Sequence, residues 1–106
     1  MKTHRDIDLR SLALAQAIVA EIDNDPARRG VDKARSVCAR WLRTGAPGAV
    51  QEWMQILSGS WENIRATLLD PSEDGTRLRQ STPFCGVLDN KKRWSIYRSF
   101  RTHETA

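Results

Sequence analysis

The chain has 106 residues, 40% of them apolar and 28% charged, and a net charge of +4. That length suits one domain, residues 1–106, able to bury roughly 60–70% of its unfolded surface, so a core needs neither disulfides nor metals. The balance of apolar and charged residues argues against disorder, and no run approaches the roughly 20 apolar residues of a membrane span.

The first helix is predicted over residues 7–24, where Leu12, Ala15, Ile18, Val19 and Ile22 recur at three- and four-residue steps to form one apolar stripe. Asn24-Asp25-Pro26 stops it, because the residue before proline is pushed out of the helical region. Asp25 and Pro26 then suit the start of an isolated turn ending at Gly30. The second helix, about 31–43, gathers Val31, Ala34, Cys38, Trp41 and Leu42 on one face, with Lys33, Arg35, Arg40 and Arg43 on the rest. Thr44 to Gly48 is a clear break.

A third helix over 48–57 carries Val50, Trp53, Met54 and Leu57 at helical spacing, and Ser60 is placed to cap a fourth over 61–69. Asp70-Pro71-Ser72-Glu73 reads as the capped start of a fifth, about 71–80. Ser81 to Leu88 is not helical: Pro83 and Gly86 interrupt it, yet Phe84, Val87 and Leu88 are apolar, so the loop is expected over the core. Asp89 can cap a last helix of about 90–101, with Trp94, Tyr97 and Arg101 in one row and Ile96 and Phe100 in the next. Residues 1–6 and 102–106 are read as frayed. The fold class is all-α, a compact bundle of five or six short helices with an apolar loop before the last.

Charge alternates along the chain. Residues 1–25, 26–43, 44–75 and 76–106 carry balances of −2, +5, −4 and +5. One reading packs acidic and basic helices as neighbours; a sharper one brings the two basic segments into a single anion-attracting face.

Catalytic motifs are absent from the sequence. His4 and His103 sit in opposite tails, and no interior histidine stands ready to activate Cys85. Cys85 is read instead as a small buried residue. Glu52, Glu62, Glu73 and Asp74 are expected on solvated faces, and no glycine-rich phosphate cradle is present. The polar start Met1-Lys2-Thr3-His4-Arg5-Asp6 does not resemble a signal peptide. Cys38 and Cys85 therefore read as free thiols of a cytoplasmic protein, with a disulfide between them the minor alternative. No catalytic residue, cofactor or metal site is expected.

Binding is the stronger reading. Arg77, Arg79, Phe84, Lys91, Lys92, Arg93, Trp94, Tyr97, Arg98 and Arg101 concentrate the residue types that anchor protein interfaces, so they are the expected partner-binding set. Trp94 and Phe84 are the expected exposed anchors, while at least three of Trp41, Trp53, Trp61 and Trp94 are expected in the core. Residues 55–61 loosely follow a helix-turn-helix, but Glu62 and Arg65 give the following helix little positive charge for reading a groove. Nucleic-acid contact through Arg35, Arg40 and Arg43, with the C-terminal cations, is the alternative.

The run from Arg77 to Leu88, followed by Arg93-Trp94 and Ile96 and preceded by Ala34-Arg35-Ser36-Val37-Cys38-Ala39-Arg40-Trp41-Leu42, resembles small all-helical bacterial proteins of unknown function. Those proteins are similar to the antitoxin-like partner of two-gene toxin–antitoxin modules. The resemblance covers most of the chain. It implies a non-enzymatic, cytoplasmic neutraliser of a toxin-like enzyme, with DNA binding by the same basic residues as the alternative.

Overall fold

The computed structural model describes the backbone of residues 4–105 and the side chains of residues 7–99. It is all-α: α1 His4–Asp23, α2 Arg29–Thr44, α3 Val50–Leu57, α4 Trp61–Leu68, α5 Glu73–Arg79 and α6 Asn90–Thr105. No strand occurs among the described residues. α1 is the central element, touching α2, α4, α5 and α6, while α3 closes the far side against α2 and α4.

The predicted stripes supply most of the core, although Leu42 and Met54, expected on the apolar faces of α2 and α3, are exposed. Ala15, Ile18, Val19 and Ile22 of α1 meet Val31, Ala34 and Cys38 of α2, Val50, Trp53 and Leu57 of α3, and Ile64 and Leu68 of α4. Trp53 is the deepest large side chain. Its ring meets Phe84 edge-on, with centroids 5.9 Å apart, and its Nε1–H donates to the Leu78 carbonyl at 2.9 Å. Trp41 and Trp61 pack half-buried against this core, so three of the four tryptophans belong to it as expected.

Local chemistry sets the helix ends, with several departures from the sequence reading. Ser60 caps α4 by accepting from the Asn63 N–H, and Asp89 caps α6 by accepting from the Lys92 N–H, both as expected. The expected cap of α5, Asp70, instead accepts from the Ser72 N–H; Ser72 is the N-cap, accepting from the Gly75 N–H, and the helix starts at Glu73. α3 begins at Val50 rather than 48. The helical backbone also extends to His4 and Thr105, where fraying was expected.

Gly30 is not a break but the second residue of α2. A Cβ there would lie 2.7 Å from Ile22 Cγ1, so glycine is what lets α2 close on the end of α1. Between them, Asp25 accepts from the Ala27 and Arg29 N–H groups, and Arg28 takes a left-handed φ of 52°. That turn aims the Arg28 guanidinium at the Ile22 and Asp23 carbonyls, which capping water would otherwise have to satisfy.

The loop before α6 packs over the core as expected. Pro83, Phe84 and Leu88 are buried, Val87 is half-buried, and Ser81 Oγ accepts from the Ala49 N–H. Cys38 is buried and Cys85 exposed, both free, so the minor disulfide reading and the expected burial of Cys85 are both corrected.

The tightest corner joins α4 to α5. A Cβ on Gly75 would sit 2.1 Å from the Asp70 carbonyl oxygen, which is backbone and cannot swing aside. Gly75→Ala is therefore expected to lower the unfolding free energy by about 1–3 kcal/mol, as overpacking does. A urea melt with an unshifted midpoint would contradict this.

Candidate functional site

The ten residues expected to bind a partner divide sharply. Phe84 is 0% exposed and Arg79 6%, so neither belongs to a surface; this corrects the expected exposure of Phe84. The loop turns Phe84 inward because Trp53 offers an aromatic edge that no surface position provides. Arg79 is drawn in by carbonyls. Its Nε–H donates to Ser11 Oγ at 3.1 Å, Nη1 to the Leu68 carbonyl at 3.2 Å and to the Asp70 carbonyl, and Nη2 to Thr76 Oγ1 at 3.2 Å. Burial pushes its guanidinium below its ordinary pKa, with the charges of Asp70 and Asp8 partly offsetting this.

Arg77 remains at the surface but is held in a fork. It donates to both carboxylate oxygens of Glu52 at 2.9 and 2.8 Å and to Asp74 at 2.7 Å. Those hydrogen bonds raise the Arg77 pKa and lower that of Glu52. Two carboxylates expected to be merely solvated thus converge on one guanidinium.

α6 carries the remainder. Ile96 turns towards the core, which leaves Trp94 outward and 56% exposed, the largest exposed hydrophobic side chain described and the expected anchor. Its ring meets Tyr97 edge-on, with centroids 6.3 Å apart. Tyr97 is half-buried, and the Arg10 guanidinium lies over its ring 5.1 Å from the centroid. Lys91 and Arg98 are exposed beside Trp94. Lys92 pairs with Glu21 of α1, and Arg93 donates to the Cys85 carbonyl at 2.7 Å. The side chains of Arg101 and Phe100 lie outside the described residues, as do those of His4 and His103.

The alternative set on α2 is also divided. Arg35 donates to the Leu57 carbonyl at the end of α3 and pairs with Asp32, whereas Arg40 and Arg43 stand exposed. The two basic segments meet at one place only among the bonds described. Lys33 donates to the Gly86 carbonyl at 3.0 Å, next to the Cys85 carbonyl taken by Arg93.

A second aromatic–cation cluster, missed in the sequence reading, forms at the other end of α1. Trp61 Nε1–H donates to Asp23 Oδ1 at 2.8 Å, Arg65 donates to Asp23 Oδ2 at 3.1 Å, and Arg28 lies over the Trp61 ring. The indole N–H has its acceptor and the ring face its cation, so this cluster fastens α1 to α4. Among the described residues, Trp94 has neither an acceptor for its indole N–H nor a cation over its ring. Compared with models of protein families, with curated proteins and with solved structures, the chain matches none.

Among the described residues, four carboxylates titrate below their ordinary range in the folded protein. The chief causes are the Trp61 indole at Asp23, the Arg29 backbone N–H at Asp25, the Ser72 backbone N–H at Asp70 and Arg77 at Glu52. In each case the unfolded chain binds its proton first, so the stabilisation is complete above the unfolded values of about 4 and fades as pH falls through the folded ones. Melting temperature is expected to fall as pH drops below about 4. Asp23→Asn should flatten that decline, and an equally steep acid limb in the variant would remove Asp23 from the account.

Proposed function

We propose that the protein is a non-enzymatic binding protein that docks a partner protein through the outward face of α6. The single observation that carries this reading is Trp94, more than half exposed on a helix whose inner face is already seated. Covering an indole of that exposure is worth on the order of 2 kcal/mol from area alone. Tyr97 stiffens it from one side, and Lys91 and Arg98 supply the charged rim found around interface anchors. The expected ten-residue surface thus contracts to a smaller one. Arg79 and Phe84 serve the interior, and Arg77 and Arg93 serve neighbouring elements. The partner class follows from the sequence resemblance alone: a toxin-like enzyme, which this protein would neutralise by capping.

A second reading, binding to a nucleic-acid backbone, has its own observation. Arg40, Arg43 and Lys91 are exposed and enter no ion pair among the described residues. Salt separates the two. Phosphate contacts release counterions, so affinity for a duplex should fall by orders of magnitude between about 50 and 200 mM salt. An anchor-driven protein complex should change little over the same range.

The test is calorimetry against the product of the adjacent gene. A complex that loses about 30-fold or more in affinity on Trp94→Ala is the expected result, as for an interface hot spot. A complex indifferent to Trp94→Ala, or none at all alongside salt-sensitive duplex binding that needs Arg40 and Arg43, would overturn the docking reading.

A further inference from the structure

A half-open cleft of about 330 Å³ lies between α1, the end of α5 and α6. That is inside the usual range of about 300–1,000 Å³ for small-molecule sites. Its walls are Ile7, Leu14, Ala15, Ile18, Leu68 and the Tyr97 ring, and its charged groups are Arg10 and Arg79. Among the described residues, no carboxylate lines it.

Arg79 is the unusual element. A buried cation is normally paired with a carboxylate, yet every acceptor of this guanidinium is a neutral oxygen: the Ser11 and Thr76 hydroxyls and the Leu68 and Asp70 carbonyls. A guanidinium has five N–H groups. Four hydrogen bonds leave the second N–H of Nη2 without an acceptor among the described residues. The carboxylates of Asp8 and Asp70 feel the charge but accept no hydrogen bond from the guanidinium among the described residues. Arg10, on the ring of Tyr97, adds a second positive charge to the same cleft. Apolar walls joined to two cations define an amphiphilic anion as the complement.

We propose that this cleft binds a small organic carboxylate with an apolar tail, its carboxylate at Arg79 and Arg10 and its tail along Leu14, Ala15, Ile18 and Leu68. The site shares the Tyr97 ring with the docking face of α6 but does not rest on that reading. A free acid with a tail of medium length suits a cleft of this volume.

Decanoate is the probe, titrated calorimetrically into the full chain below its micelle concentration. One molecule per chain with a Kd on the order of 100 µM or tighter is expected for a ligand of this size. Decan-1-ol, of equal length but uncharged, should bind at least about tenfold more weakly, since it forfeits a charge-assisted hydrogen bond. Leu14→Trp, which fills the cleft, should abolish binding, and Arg10→Gln should weaken it several-fold. These two variants keep the test decisive should Arg79→Gln fail to fold. Equal binding of decanoate and decan-1-ol, an unchanged Kd in Leu14→Trp, or no heat at 1 mM decanoate (about tenfold above the expected Kd) would each overturn the proposal. Tighter binding of N-acetyl-leucyl-leucine than of decanoate would overturn it in favour of a chain terminus.

Discussion

The fold is organised around one buried guanidinium. Arg79 reaches from the end of α5 to the last carbonyl of α4, the Asp70 carbonyl beyond it, a hydroxyl on α1 and another on its own helix. Helix ends leave carbonyls without intrahelical partners, and burying them bare costs about 1–3 kcal/mol each. α4 has eight residues and α5 seven, so a large share of their backbone is terminal. A single planar side chain with several donors can satisfy groups that no sequence of local turns would reach. The same corner explains Gly75. The Asp70 carbonyl that Arg79 binds is pressed against the Gly75 backbone, so the arginine and the glycine are parts of one arrangement.

Alternation of charge along the chain is mostly resolved by pairing between segments. Lys92 meets Glu21 and Arg77 meets Glu52, each joining a basic stretch to an acidic one, while Arg65 and Asp23 join the two acidic stretches. Exposed pairs of this kind contribute little to stability, about 0–1 kcal/mol. Their effect is on the surface that remains: they remove cations from some faces and leave Arg40, Arg43 and Lys91 on others. Arg28 and Arg35 act in a related way, turning their guanidinium groups onto the carbonyls that end α1 and α3. In a chain of short helices, arginine can serve as backbone cap as well as surface charge, so a count of basic residues overstates any anion-binding face.

What could be read from the sequence follows from this. Six helices, the α1 stripe and the inward course of residues 81–88 were legible because apolar periodicity and proline–glycine punctuation are local signals. The Ser60 and Asp89 caps were legible for the same reason. Several of the misreadings concern choices settled by packing rather than by the local sequence. Ser72 displaces Asp70 as a cap because Asp70 is held at the α4–α5 corner. Gly30 stays helical because Ile22 needs the space. Phe84 and Trp94 looked equivalent as aromatic groups in a basic stretch, but only Phe84 faces the Trp53 edge. Nothing near Arg79 in sequence distinguishes it from Arg77. One is buried and the other forked between carboxylates because Ser11, 68 positions away, faces the first, and Glu52 the second.

The position of α6 connects these points to function. It is a 16-residue helix held by Ile96 against the core, Lys92 against α1 and Arg93 against the preceding loop. Every one of those contacts lies on its inner side or first turn. Its outer side carries Trp94 with no hydrogen-bond partner for the indole among the described residues, in contrast to Trp53 and Trp61, whose N–H groups are both satisfied. An indole seated on a fixed helix loses little conformational freedom when it is covered, so most of its burial energy is available to an interface. The cleft beneath Tyr97 shares that fixed wall, since the ring that steadies Trp94 also borders the apolar walls leading to Arg79. One aromatic residue at the α1–α6 junction therefore bounds both proposed surfaces.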